Sequence, residues 1–147
     1  MDSQSATEHK LEIRVRYHET DGQGRVHHAQ YINYFERGRV ELLRAAGKSY
    51  REVEEDGIFL VVSKMNVEYL NGAEFDDLLC LTTNVAKVGG VRIEHHYLIT
   101  KQDAEGKEVE IVKGSSVVAS VNRDGKVRKL PKHLRIPAGT NSRSKSS

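Results

Sequence analysis

The stretch YHETDGQGRVHHAQYINYFERGRVELLRAAG, residues 17–47, decides how this chain folds. An acidic loop with two glycines, Gly22 and Gly24, runs straight into an amphipathic helix. From about Gln30 to Ala46, Tyr31, Tyr34, Phe35, Gly38, Leu42 and Ala45 recur at helical spacing, Ile32, Leu43 and Ala46 widen the apolar stripe, and Gly47 is a natural stop. Glu36, Arg37, Glu41 and Arg44 mark the wet or paired face. A stripe this wide on one long helix asks for a sheet that curls around it.

Upstream, Leu11, Ile13, Val15 and Tyr17 alternate with charged residues, which predicts a first strand with one buried face. Residues 1–10 read as a flexible N-terminus. Downstream, residues 49–56 predict a short polar helix before Gly57, and then the period changes. The runs 58–70, 78–88, 91–100 and 109–121 are rich in β-branched and aromatic residues and predict strands. Gly89-Gly90 is a two-residue hairpin signal, and Asp103 to Lys107 and Asn122 to Lys126 are looser turns. Tight turns between long strands predict an antiparallel meander, so the fold class is α+β in two layers: one domain over 11–137, followed by a disordered tail at 138–147.

Composition narrows the function. A chain of 147 residues fits one domain, and a net charge of +2 without a basic face gives no argument for nucleic acid. The single Cys80 rules out an intramolecular disulfide and suits a reducing compartment; in its strand-like run it reads as a small buried apolar residue. No run approaches the length of a membrane span, and the polar N-terminus lacks the apolar core of a signal peptide, so the expectation is a cytoplasmic protein.

The chemistry concentrates in the loop. Asp21 stands just ahead of a helix whose positions 27–29 read His27, His28, Ala29, without a usual N-cap residue. A helix start leaves backbone N–H groups unpaired and partly positive, so it can receive a developing oxyanion beside a carboxylate acting as base or nucleophile. Thr20-Asp21-Gly22 is equally ordinary turn chemistry. His28 offers a proton donor, a ligand contact, or only its backbone N–H. A metal reading would group His18, Glu19, Asp21, His27 and His28, but no helical HxxxH spacing fixes two ligands on one face. His95 and His96 are adjacent on a strand and point to opposite faces. Lys64, Lys87, Arg92 and Lys101 are strand or turn cations able to meet phosphates.

Tyr17, Thr20, Asp21, Gly24, Val26, His28, Ala29, Tyr31, Phe35, Glu36, Arg39, Glu41 and Leu43 together resemble the signature of hotdog-fold acyl-CoA thioesterases of the 4-hydroxybenzoyl-CoA thioesterase type, in particular the branch associated with the Tol-Pal cluster. The likeness continues through VVSKMNVEYLNGAEFDDLL and covers about residues 11 to 135. It implies a hotdog fold, a long central helix wrapped by a curved antiparallel sheet, assembled as a homodimer or homotetramer. It implies hydrolysis of an acyl-CoA or acyl carrier protein thioester with no cofactor and no metal. In that family the carboxylate matching Asp21 attacks the thioester carbonyl or activates water, and the amide matching His28 polarises the thioester oxygen. Tyr17, Tyr31 and Tyr34 become candidates for the acyl pocket, Gly24 for close approach of substrate, and Lys64, Lys87 and Arg92 for the nucleotide phosphates. The third hairpin, KVGGVR, lacks the consecutive basic residues of the benzoyl-specific enzymes. A hotdog hydratase or dehydratase, and an acyl-thioester-binding protein without catalysis, are the alternatives.

Overall fold

The computed structural model describes residues 7–134. In chain order the elements are β1 (Glu8–Arg14), a 3-10 turn (Tyr17–Glu19), α1 (Gln30–Ala45), α2 (Tyr50–Glu55), β2 (Phe59–Tyr69), β3 (Leu78–Val88), β4 (Arg92–Gln102), β5 (Glu108–Val121) and a closing 3-10 turn (Lys132–Leu134). The five strands form one antiparallel sheet in the order β1-β3-β4-β5-β2. Only β3, β4 and β5 make the expected meander. β2 is not hydrogen-bonded to β3: after α1 and α2 the chain enters on the far side of β5, so β1 and β2 are the two edges.

Two further expectations need correction. β1 begins at Glu8, paired with Asn84, so the chain is ordered earlier than its polar start suggests. It also ends at Arg14: Tyr17 leaves the strand register, opens the 3-10 turn and is 76% exposed, edge-on to Phe75. The tail at 138–147 lies outside the described residues.

α1 packs across the sheet because its stripe meets the inward side chains of β3, β4 and β5, whose alternation buries Leu79, Leu81, Ile93, Tyr97, Ile99 and Val112. The approach is close at two glycines. Leu81 and Thr83 pack where a Gly38 side chain would stand, and a Cβ on Gly114 would lie 2.5 Å from the Phe35 ring. Phe35 is fully buried and stacks on Tyr97 with ring centres 4.2 Å apart. Ile32, Ala45 and Ala46 do not join the stripe; Ile32 and Ala45 face solvent, while Arg39 takes a buried place. Ser49 caps α2 by accepting from the Glu52 N–H at 3.2 Å. Cys80 is half-buried on the outer face of the sheet rather than in the core.

Gly114→Val tests the helix–sheet approach. The added side chain collides with a fully packed ring, and overpacking of this kind costs about 1–3 kcal/mol. Urea unfolding should show a lower midpoint; an unchanged midpoint would mean that Phe35 moves aside freely.

Candidate active site

The loop between β1 and α1 is held by a buried carboxylate. Glu19 is 7% exposed; its Oε1 accepts from the Arg16 N–H and from the Tyr34 hydroxyl, both at 2.8 Å, and its Oε2 accepts from Gln30 Nε2 at 3.4 Å. Its backbone carbonyl accepts from the His27 N–H at 3.0 Å. One residue therefore pins both ends of the loop to the first turns of α1. Across the loop, Val26 N–H donates to Ala73 at 2.8 Å, and Arg25 bridges Glu74, docking it on the segment after β2.

Inside this frame Asp21 closes its own turn. Its Oδ1 accepts from the N–H groups of Gln23 at 2.8 Å and Arg25 at 3.2 Å, and Gly24, at φ 82°, takes the left-handed conformation that the reversal needs. Those two peptide N–H groups, with smaller help from His27 and Arg25, hold its pKa below the usual carboxylate value. Among the described residues nothing donates to Oδ2. The turn reading and the catalytic reading of Asp21 are thus compatible: one oxygen fixes the loop and the other faces outward, ionised.

The start of α1 supplies the complement. Its N-cap residue, Ala29, makes no side-chain cap. The N–H of His27 is used by Glu19, that of Ala29 by His27 Nδ1 at 3.1 Å, and that of Gln30 by the His27 carbonyl at 2.8 Å. Between them the His28 N–H has no acceptor among the described residues. The His28 carbonyl accepts from the Tyr69 hydroxyl at 2.9 Å, which ties this peptide to the end of β2, and the Tyr69 ring lies edge-on to His28 and Tyr31. The His28 ring stacks on His27.

Asp21, His28 and Tyr31 meet in one open hollow of about 610 Å3 with Arg25, Tyr69 and Asn71 on its wall. Tyr31 is buried, and that burial drives its hydroxyl pKa up to about 12, against a hydrogen bond from Ala73. The other expected site residues lie elsewhere. Tyr34 is spent on Glu19, Gly24 shapes the turn, and Tyr17 stands beyond the hollow against Phe75. Lys64 and Lys87 share a row across the sheet through Val117 and Glu94, near the end where Arg92 begins β4. All three are exposed, and within one chain none reaches the hollow. His95 is buried and His96 is exposed beside Glu94, as their alternation requires. Among the described residues no three His, Cys, Asp or Glu side chains are placed to hold a metal ion.

Residues 23–107, more than half of the chain, match the family described as the thioesterase superfamily. The chain belongs to that superfamily. A putative esterase of Aquifex aeolicus is 30% identical over 121 residues, covering 82% of this chain and 90% of its own. The acyl-CoA thioesterase YbgC of Haemophilus influenzae is 39% identical over 82 residues, 55% of this chain and 60% of that one. Among solved structures, a probable thioesterase from Bartonella henselae superposes with a TM-score of 0.77 at 31% identity, over 84% of this chain and 99% of the other. The hotdog architecture expected from the sequence is the one this superfamily shares.

Sequence reasoning did not find the frame. The sequence places Glu19 only among possible metal ligands and gives Tyr69 no role. A signal for Glu19 was present: Tyr34 lies on the buried stripe, and a buried tyrosine hydroxyl needs a polar partner.

Glu19→Gln tests the frame. An amide in place of the carboxylate turns an NH2 towards donors on one side, and an unsatisfied buried group costs about 1–3 kcal/mol. We expect a lower urea midpoint together with reduced turnover; a fully stable and active variant would show that the loop is held by something else.

Proposed function

We propose that this chain hydrolyses acyl-CoA thioesters to a free acid and coenzyme A. The observation that carries this reading is the pairing, in one hollow, of an ionised carboxylate with an open backbone N–H at an uncapped helix start. Thioester hydrolysis needs both parts: a base or nucleophile, and a donor for the negative charge that grows on the carbonyl oxygen. In the proposed reaction the thioester oxygen rests on the His28 N–H, reinforced by the partial positive charge of α1. Asp21 Oδ2 either takes a proton from water as that water attacks the carbonyl carbon, or attacks directly to give an anhydride that water then cleaves. The carbon–sulfur bond breaks, the thiolate of coenzyme A leaves and takes up a proton, and the acid is released. One such donor is worth about 2.7–4 kcal/mol of barrier, and general base catalysis typically contributes about 10²–10⁴ in rate. The residues of the hollow supply both charges without a metal or cofactor.

We further propose that the working unit is a homodimer, or a homotetramer of two such dimers, in the cytoplasm. β2 is an 11-residue edge strand with no strand paired to its outer side among the described residues, and Val61, Val62, Tyr69 and Leu70 are large apolar residues exposed on or beside it. Antiparallel pairing of two β2 edges turns the Phe59 end of one strand towards the Tyr69 end of the other and sets Lys64, the middle residue of β2, along the shared seam. That sets a cation of the second copy on the seam that borders each hollow, in addition to the hollow's own Arg25, and it is our basis for placing Lys64 near the nucleotide phosphates, with Lys87 and Arg92 further along the same end of the sheet. An acyl carrier protein thioester is the alternative substrate, because this surface does not distinguish the two carriers.

Asp21→Asn should fold and assemble as the wild type does, yet release free thiol from a panel of acyl-CoAs at least about 100-fold more slowly. Wild-type rates in the variant would remove Asp21 from the reaction. Conversion of an enoyl-CoA without thiol release would instead support a hydratase, and tight acyl-CoA binding without turnover a binding protein. Because the folded pKa of Asp21 is depressed, its ionised form persists to unusually low pH. As far as Asp21 is concerned, kcat/KM should therefore stay flat from neutrality down to about pH 5 and fall only below that; an inflection near pH 6 or 7 would point to a different base.

A further inference from the structure

A second feature lies far from the hollow, at the other end of α1. Arg39 is 7% exposed, and its Nη1 donates to the Tyr97 hydroxyl at 2.9 Å. Tyr50 is its other hydrogen-bonding neighbour. Burial drives the pKa of both phenols up, so neither carries negative charge. Among the described residues no carboxylate forms an ion pair with Arg39. Glu36, one turn back, is exposed to solvent. A guanidinium does not shed its proton, and a buried charge without a counter-charge is costly.

Arg39 does not face a solid core. It borders a small cavity of about 20 Å3, lined also by Leu42, Leu60, Val85, Ile93 and Leu134. That is room for one particle of about the size of a water molecule. The other polar groups on the wall are the Tyr50 hydroxyl and His95, whose Nδ1 is buried and has no hydrogen-bond partner among the described residues. Burial first, and Arg39 second, push this imidazole down to about 3, so it is neutral and can present an N–H at Nδ1. Guanidinium and imidazole N–H are donors alone. A guest that only accepts hydrogen bonds and carries one negative charge satisfies both, whereas water satisfies the donors and leaves the charge uncompensated.

We propose that this cavity is a binding site for one small monovalent anion of halide size, held between the Arg39 guanidinium and His95 Nδ1–H. The site shares no lining residue with the catalytic hollow, and the proposal does not rest on the thioesterase reading. Its small inner volume suits a monatomic anion, which acts there as a fixed counter-ion of the core.

The test follows the thermal unfolding of the full chain at constant ionic strength while chloride replaces gluconate, an anion too large for the cavity. The expected result is a saturable rise in Tm of about 3 °C or more at ten times the half-saturating chloride concentration, absent in Arg39→Met. Crystals of the wild-type protein grown in bromide should then show an anomalous peak between Arg39 and His95, which decides the matter if Arg39→Met does not fold. The proposal is overturned by a Tm indifferent to the exchange, by a chloride response that survives in Arg39→Met, or by a bromide-free cavity holding water or a carboxylate from a second copy.

Discussion

Glu19 holds a full carboxylate almost out of reach of water, and the arrangement at the site follows from how that carboxylate is satisfied. Its acceptors draw in a loop amide, a helical tyrosine hydroxyl and a helical glutamine, while its carbonyl takes the His27 N–H. Each bond costs chain entropy, and together they fix a loop that would otherwise move independently of the helix. Asp21 can then face the same hollow as the start of α1 although neither touches the other. The Asp21 carboxylate is itself exposed; its position is inherited from a buried one.

The same economy appears at the start of α1. A side-chain cap would have satisfied the first turn and closed it to a ligand. Here His27 engages two neighbouring amides through its ring and its carbonyl, and leaves the His28 amide between them open. Tyr69 holds the far side of that peptide. The helix as a whole is kept in place elsewhere, by Phe35 against the bare backbone of Gly114 and by Gly38 against β3. Helix placement and the open amide of the hollow thus rest on different residues, so Asp21 and His28 can be changed without loosening the fold.

Most of the fold was legible in the sequence, because periodicity reports which face of an element is buried. The stripe of α1, the four long strands and the short helix at 49–56 followed from it, and the three turns from their glycines. Strand order did not, since nothing local to β2 says that it crosses to the far side of β5. Tyr17 and Ile32 were misplaced because each is apolar enough to continue a pattern that the backbone had already left. Arg39 was visible only as part of a family likeness: charge on a helix normally means solvent, and its burial depends on two tyrosines 11 and 58 residues away. Asp21 and His28 stood out because an uncapped helix start after an acidic turn is a local feature. Their supports, Glu19 and Tyr69, are contacts between distant segments and are written in no single window of the chain.

The Tyr69 hydroxyl links two things that are otherwise separate, the peptide whose N–H stands open at the start of α1 and the last residue of a strand at the edge of the sheet. Anything that orders the edge orders the peptide. If a second copy pairs along β2, the organisation of each site is set in part by mass action. Specific activity then becomes a function of protein concentration, constant where copies are associated and falling on dilution even though every catalytic atom is still present.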